Sequence, residues 1–571
     1  MKKVLVVTLN IAIIAAAAAA YIITYLNRDL AKAGLSYAGY YAMLLLFAFW
    51  VITLAQCIAR RKPVFKSAVR SYAPAAIACF ILVSVIFISV GPRFRVLSDE
   101  TNIASVARSM LYEKRTDNVT MGLWYYDILF PLERVAEKRP LMFPFLGSIV
   151  HTLLGYHVEN VFILNFLALF ALFFLVYGLV QKRFGHIWAV SAIVLMGSQP
   201  ILAQCATSGG FDLMATLFVV VSYVSLKQFL RERSALNFQL LWVNLLMLAN
   251  IRYEGVMPLV IVMTTLAFSG CVKADFFKDG RSLAYSCAAL IFLPTFWQKL
   301  IVADPYRTGS PGEPTFSVTY LLTHSIDFLR TLADYSFRSP YNAVVNLIGL
   351  AGLLYFIYRF VVNREEAFKG QRLLLYISAA CIAAYWVLIT SFNPSLLVNP
   401  TTSRYYLLFF ALLPVSALML ASRLGIFARK PMYVLILSTL IFLLYHPVSV
   451  EDWLSKASYW PREYRFVMDV ISKEAAKDRG FVVIYAKPGH LTVSNYGAVD
   501  FAYANTHRQI GFNLKSHLYS NIFVVQAILY ATMEPSEECR LDGRFTLEKL
   551  VERQINEKRF IRISRVAAIA K

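Results

Sequence analysis

Asp99 and Glu100 stand side by side in Val96-Leu-Ser-Asp-Glu-Thr101, soon after a long apolar run ends. Adjacent carboxylates at a membrane surface cost little and suit a solvated loop, and they are also candidates for chemistry just outside the membrane. Asp212 opens another apolar run, in Ser208-Gly-Gly-Phe-Asp-Leu-Met214. An acid there either complements a helix dipole or serves chemistry, the default reading of an ionisable group at membrane depth. Lys138 and Arg139 lie in Glu137-Lys-Arg-Pro-Leu141, Arg252 in Ala249-Asn-Ile-Arg-Tyr-Glu-Gly255, and Arg404 in Thr401-Thr-Ser-Arg-Tyr-Tyr406. Taken singly, each cation reads as a snorkelling interface anchor. Gathered on one side of a membrane, they suit a lipid-linked phosphate, because cations neutralise a leaving phosphate while a carboxylate takes a proton.

Sidedness is therefore the question the rest of the chain must answer. A span of the hydrocarbon needs about 20 apolar residues, and the chain reads as about thirteen such helices, near 4–26, 36–58, 72–91, 160–180, 187–206, 211–230, 236–250, 254–271, 282–301, 343–362, 372–391, 404–423 and 432–447. The pair 236–250 and 254–271 is split only by Arg252, Tyr253 and Glu254. Alternate connections are basic: Arg60, Arg61, Lys62, Lys66 and Arg70; Lys182 and Arg183; Lys227, Arg231 and Arg233; Lys273, Lys278 and Arg281; Arg359, Arg364, Lys369 and Arg372; and Arg423, Arg429 and Lys430. By the positive-inside rule these face the cytosol. The expected arrangement is a multi-pass inner-membrane protein with a cytoplasmic N-terminus and an extracytoplasmic, periplasmic C-terminal domain. All the candidate charges then share the outer side. Merging the doubtful pair would invert the later half and put three basic clusters outside.

Composition agrees with lipid as the main solvent. Of 571 residues, 58% are hydrophobic and only 16% charged, too few charges to cover a soluble protein of that length. The net charge of +22 is explained by the cytosolic connections facing an anionic leaflet, so no nucleic-acid partner is needed. Six of the seven cysteines lie in or beside apolar runs and Cys539 is alone in the tail, so no disulfide framework or metal motif is implied. Lys2-Lys3 followed by an apolar stretch imitates a signal peptide, but Val4–Leu26 is long enough to be a retained span.

Three stretches lie outside the expected bilayer. Segment 92–159 holds two candidate interfacial helices, Thr101–Tyr112 and Leu141–Leu154. Segment 302–342 opens on the loop-forming run Gly309-Ser-Pro-Gly-Glu-Pro314. From 448 the apolar runs shorten to strand length: Phe481–Ala486, Asn521–Gln526 and Phe560–Ser564 read as strands, and Arg462–Lys477 and Leu547–Glu557 as helices. The expected domains are two N-terminal helices over 1–71, a transmembrane core over 72–447 with outer loops 92–159 and 302–342, and a small extracytoplasmic α/β domain over 448–571.

The order of these motifs resembles the C-type membrane glycosyltransferases that use polyprenyl-phosphate sugars, in the branch of protein O-mannosyltransferases and the lipid A aminoarabinose transferase. The family's Asp-Glu pair is matched by Asp99-Glu100. Its Glu-Lys-Pro-Pro-Leu-like motif is matched by Glu137-Lys138-Arg139-Pro140-Leu141, with Arg in place of the first proline. Its helix-opening Asp is matched by Asp212, its basic residue before a glycine turn by Arg252-Tyr-Glu-Gly255, and its Arg-Tyr before a proline-containing helix by Arg404-Tyr405 and Pro414. No single motif is specific; the order and sidedness of all five carry the resemblance, which covers about 72–447. One departure is that the Asp-Glu loop follows the third helix rather than the first. Two added helices, an even number, keep that loop outside.

The resemblance implies a C-type glycosyltransferase fold and sugar transfer from a polyprenyl-phosphate donor to an extracytoplasmic lipid, glycan or protein, with inversion. It implies Asp99 as general base. Lys138, Arg139, Arg252 and Arg404 would hold the donor phosphate, with Glu100, Glu137, Asp212 and Tyr405 completing the site. Were the acceptor itself a phosphate, Asp99 would only position it. No cofactor is called for; a divalent metal stays open, without a histidine or third acid to support it. A transporter or flippase of lipid-linked glycans is the main alternative, but no matched pair of broken helices marks an inverted repeat. An O-antigen-ligase-like enzyme and a ligand sensor are further alternatives.

Overall fold

The computed structural model describes residues 2–570 apart from 61, 127, 274–275, 277–280, 302–313, 336–338, 363–371, 394–398, 426, 428–429, 457 and 477–479. Most of the Gly309–Pro314 run lies outside the described residues, as do Arg61, Lys278, Arg364, Lys369 and Arg429 of the basic connections. The chain forms two compact units. One comprises 1–93, 138–145 and 162–454; the other comprises 94–137, 146–161 and 455–571.

The first unit is helical. Among the described residues nine helices are long and apolar enough to cross a bilayer, or ten if one bent pair counts as a single span. Their outer faces carry large apolar side chains in the open, such as Ile88 at 83% and Phe80 at 54% exposed, surface that water would penalise and lipid accepts. Four of the thirteen expected spans are built differently. The 187–206 stretch bends by 78° between helices His186–Gly197 and Pro200–Ala206, because a residue before proline avoids the helical region and proline itself fits best at a helix start. The 282–301 stretch breaks into helices Arg281–Ser286, Ala288–Ile291 and Leu293–Ile301, the last opening at Pro294, which has no N–H to continue the previous turn. Helices Ala235–Ile251 and Val256–Phe268 are separate, as the sequence suggests, but each falls short of a straight crossing. A one-turn 3₁₀ segment, Tyr253–Gly255, joins them.

The second unit is built on a seven-stranded sheet. Its strands are β1 (Asp117–Tyr125), β2 (Ile128–Ala136), β3 (Phe481–Tyr485), β4 (Ala498–Val499), β5 (Asn521–Leu529), β6 (Phe545–Asn556) and β7 (Arg559–Ile569), in the order β2-β1-β4-β3-β5-β7-β6. The central β4, β3 and β5 are parallel and the outer pairings antiparallel. Buried on both faces, β3 reads as an unbroken apolar run, Phe-Val-Val-Ile-Tyr. The tail does not complete this sheet alone: the β1–β2 hairpin comes from the 92–159 segment and pairs through Gly122 with Ala498.

The helix expected over Leu547–Glu557 is instead strand β6. Register shifts between Thr546 and Leu547, Lys549 and Val551, and Gln554 and Asn556 insert extra residues into the strand. Leu547, Leu550, Val551 and Ile555 consequently pack against the same apolar core despite their helix-like spacing. The helix read at 462–477 is observed as Trp460–Ala475, and the three expected strands are observed. The two candidate interfacial stretches are helices Leu97–Glu113 and Met142–Leu154.

Candidate active site

In the helical unit, three segments distant in sequence bring charges together. The first is the turn before helix Asp212–Arg231. Asn165, fully buried, donates from Nδ2 to the carbonyls of Ser208 (2.7 Å) and Gly210 (2.9 Å), clamping the Ser-Gly-Gly turn. A Cβ on Gly210 would lie 3.3 Å from the Asp212 carboxylate, so a small residue keeps that carboxylate's place open. Asp212 is the first residue of its helix, where a negative charge complements the dipole.

The second segment is the 3₁₀ turn. Arg252 ends helix Ala235–Ile251 in an extended conformation, and Gly255 follows because a Cβ there would strike the Leu248 carbonyl. Arg252 Nη1 donates to Asp212 Oδ1, while Nε and Nη2 reach Glu254 at 3.0 and 2.9 Å, a forked contact that suits a guanidinium. Asn399 caps the third segment, helix Pro400–Ser403, by accepting from Thr401 N–H at 3.0 Å. Arg404 follows, donating from Nε to the Thr401 carbonyl at 3.0 Å and facing Asp212 Oδ2 at 3.4 Å.

Asp212, Arg252 and Arg404 are all buried. Charges out of water are tolerated only when paired and hydrogen-bonded, and here two arginines meet two carboxylates. Aromatic faces complete the setting: the Tyr405 ring lies 5.1 Å from the Arg252 guanidinium and 5.6 Å from that of Arg404, with Phe211 5.7 Å from Arg252. Tyr385 donates to the Tyr405 carbonyl at 2.8 Å. A cavity of about 70 Å³ opens on Asp212, Thr216, Arg252, Glu254, Tyr385 and Arg404.

Lys138 and Arg139 belong to the same unit. Tyr253 donates its hydroxyl to the Lys138 carbonyl, and Gln298 Nε2 donates to the Arg139 carbonyl at 2.7 Å. The Glu-Lys-Arg-Pro-Leu segment is thus tied by its backbone to the Arg252 turn and to helix Leu293–Ile301. Lys299, on that helix, sits 4.0 Å over the Tyr253 ring.

Asp99, Glu100 and Glu137 belong to the sheet-containing unit. Glu100 is 1% exposed and accepts from the backbone N–H of Arg95 (2.8 Å) and Val96 (3.2 Å), fastening the start of helix Leu97–Glu113. Asp99, in the first turn of that helix, is half-buried. Glu137 is buried at the end of the β2 connection.

Sequence reasoning had not assigned a site role to Glu254, Asn165, Tyr385, Tyr253 or Gln298. Glu254 carried a signal, an acid two residues from Arg252 at the mouth of an apolar helix; the others read as ordinary residues of their helices. Among the described residues no group of three or more His, Cys, Asp or Glu side chains is placed to hold a metal. The two carboxylates of this cluster are both engaged by Arg252.

Residues 138–298 match the model of a family described as dolichyl-phosphate-mannose-protein mannosyltransferase. No curated protein matches the chain in sequence. Among solved structures, the chain is similar to ArnT from Cupriavidus metallidurans in the apo state (12% identity, TM-score 0.49, 88% of this chain and 99% of that chain). It is similar also to the same protein bound to undecaprenyl phosphate (13%, 0.45, 88% and 99%), and to the apo oligosaccharyltransferase of Archaeoglobus fulgidus (12%, 0.42, 78% and 69%). The matched segment, under a third of the chain, contains Lys138, Arg139, Asp212, Arg252 and Glu254, and over those residues the chain resembles that mannosyltransferase family.

Proposed function

We propose that the protein transfers a sugar from a polyprenyl-phosphate donor to an acceptor outside the cytoplasm. The observation that carries this reading is the buried meeting of Arg252 and Arg404 at the Asp212 carboxylate, beside a small cavity. The family description names a sugar carried on an isoprenoid phosphate, and a cavity lined by two guanidinium groups suits that phosphate. The Arg404–Asp212 contact, at 3.4 Å, is longer than an ordinary N–H···O hydrogen bond. An incoming phosphate then takes over Arg404 while Arg252 stays held by Glu254.

In the reaction, the acceptor hydroxyl attacks the anomeric carbon from the face opposite the phosphate. The C–O bond to phosphate breaks, its electrons leave on polyprenyl phosphate, and the product is inverted. Asp99 takes the hydroxyl proton, a contribution of roughly 10²–10⁴-fold. Lys138, Arg139, Arg252 and Arg404 neutralise the charge that grows on the phosphate. Asp212 and Glu254 hold Arg252, Asp212 also faces Arg404, Tyr405 presents a face to both arginines, and Glu100 fixes the turn that carries Asp99. The acceptor is a lipid, glycan or protein. The alternation of basic connections supports an extracytoplasmic site in an inner-membrane protein.

The match to a transferase family gives the transporter alternative no support. The test is transfer by purified protein from a polyprenyl monophosphate sugar, with nucleotide sugars as the control. Turnover of a nucleotide sugar, or glycan translocation without transfer, overturns the proposal.

A further inference from the structure

A second and larger cavity, about 370 Å³, lies in the helical unit among helices Asn160–Phe184, Asp212–Arg231, Ala235–Ile251, Val256–Phe268, Arg372–Ser391 and Leu407–Arg423. Its size is within the roughly 300–1,000 Å³ of ligand sites. The lining is mostly apolar, with the hydroxyls of Ser222, Tyr223 and Ser378 within it, and Arg183 and Lys227 border it at one end. Lys182 and Arg231 stand close by, near enough to repel Lys227. Among the described residues none of these four cations is in an ion pair. Within the lining, Ser222 is 7% exposed and its Oγ has no hydrogen-bond partner. A buried hydroxyl left in this state costs free energy that an acceptor from a ligand would recover.

We propose that this cavity binds one anionic glycerophospholipid, its phosphate on Arg183 and Lys227 and an acyl chain between the helices. Unpaired cations at the mouth of an aliphatic slot match a headgroup of negative charge joined to a hydrocarbon tail. Ser222 lies five residues before Lys227, about 7.5 Å along the helix, the depth at which a glycerophospholipid carries its ester carbonyls. Those carbonyls would accept the Ser222 hydroxyl, and a polyprenyl phosphate has none to offer. Asp212 is fifteen residues from Lys227, about 22 Å of helix. The donor phosphate cannot occupy both ends, so the lipid at Arg183 is a second molecule; this last step rests on the donor phosphate lying at Arg252 and Arg404. Leu248, Pro258, Ile382 and Leu408 line both cavities, so the acyl chain points toward the donor site.

The test is native mass spectrometry of the full-length protein with palmitoyl-oleoyl phosphatidylglycerol, the matching phosphatidylcholine, and undecaprenyl phosphate. It reads lipid retention rather than transfer, so its failure is distinct from failure of the transferase reading. Wild-type protein should retain phosphatidylglycerol about tenfold better than phosphatidylcholine, and R183Q/K227Q should lose that preference. Ser222→Phe, which fills the slot and leaves the cations, should release the lipid. Ser222→Ala, which cannot disturb packing, should weaken retention several-fold. Equal retention of the two phospholipids, or unchanged retention in R183Q/K227Q or in Ser222→Ala, overturns the proposal. So does a dependence on Arg183 and Lys227 shown by undecaprenyl phosphate but not by phosphatidylglycerol.

Discussion

Arg252 donates from Nη1 to Asp212 Oδ1, joining residues forty positions apart in a buried ion pair. The opposite oxygen of Asp212 faces Arg404, so one carboxylate balances two guanidinium groups at the centre of the candidate site. Removing that carboxylate has consequences for both stability and donor binding.

Asp212→Asn removes the carboxylate that two buried arginines share and leaves Glu254 on Arg252. Breaking a buried pair from one side costs about 3–5 kcal/mol, and thermal inactivation in detergent should show the loss. Asp212→Asn with Arg252→Met should be less destabilised than the sum of the single variants, because each removes the other's uncompensated charge. Additivity in that cycle would mean the pair is not coupled.

Asp99 and Glu100 are expected to separate in experiment. Asp99→Asn should abolish transfer to a hydroxyl acceptor while leaving donor affinity and stability near wild type. The Arg95 and Val96 N–H groups bond to different oxygens of Glu100; Glu100→Gln keeps an acceptor for only one of them, so a partial loss, rescued by lower temperature, is expected. Arg252→Ala and Arg404→Ala should instead weaken donor binding about ten- to a hundred-fold, the worth of a charge-assisted contact. Single-turnover transfer and donor binding on the same preparations resolve all four. Normal transfer by Asp99→Asn would leave a phosphate acceptor or a bystander Asp99.

The sheet-containing unit should be acid-labile. His490 is buried, and desolvation, helped by the nearby Lys487 charge, pushes its pKa from 6.5 down to about 3. The folded unit therefore holds His490 neutral where the unfolded chain would protonate it. Its contribution is fully present above pH 6.5 and is lost as the pH falls toward 3, at up to about 1.4 kcal/mol per pH unit. Glu463 runs the other way: burial raises its carboxyl pKa, so the folded form favours the proton and stability falls as pH rises through that range. Chemical unfolding followed between pH 4 and pH 7 should show a shallower acid slope in His490→Gln. An unchanged slope would assign the acid sensitivity elsewhere.

Topology offers an independent check. Reporters fused after Arg233 should read cytosol, and reporters after Thr116 and Asp542 the opposite side, as the alternation of basic connections requires. A cytosolic reading at Asp542 would reverse the proposed orientation of the sheet-containing unit.

The sequence by itself was enough for the membrane class, the positions of the nine apolar spans among the described residues, the break between two helices at Arg252, and strands β3, β5 and β7. These depend on local composition: runs of apolar residues, a charged triplet ending one of them, and short β-rich segments near the C-terminus. It also marked Asp212, Arg252 and Arg404 one by one, because charges beside apolar runs stand out. That they converge on one carboxylate depends on packing between helices separated by up to 192 residues, which no local pattern encodes. The same holds for Asn165 and Gln298, whose amides act on backbone carbonyls 45 and 159 residues away. Strand β6 was misread because bulges turn a period of two into a spacing close to that of a helix. The β1–β2 hairpin could be placed in the sheet only by the folded chain, since hydrogen bonding between edges carries no signature in the residues that meet.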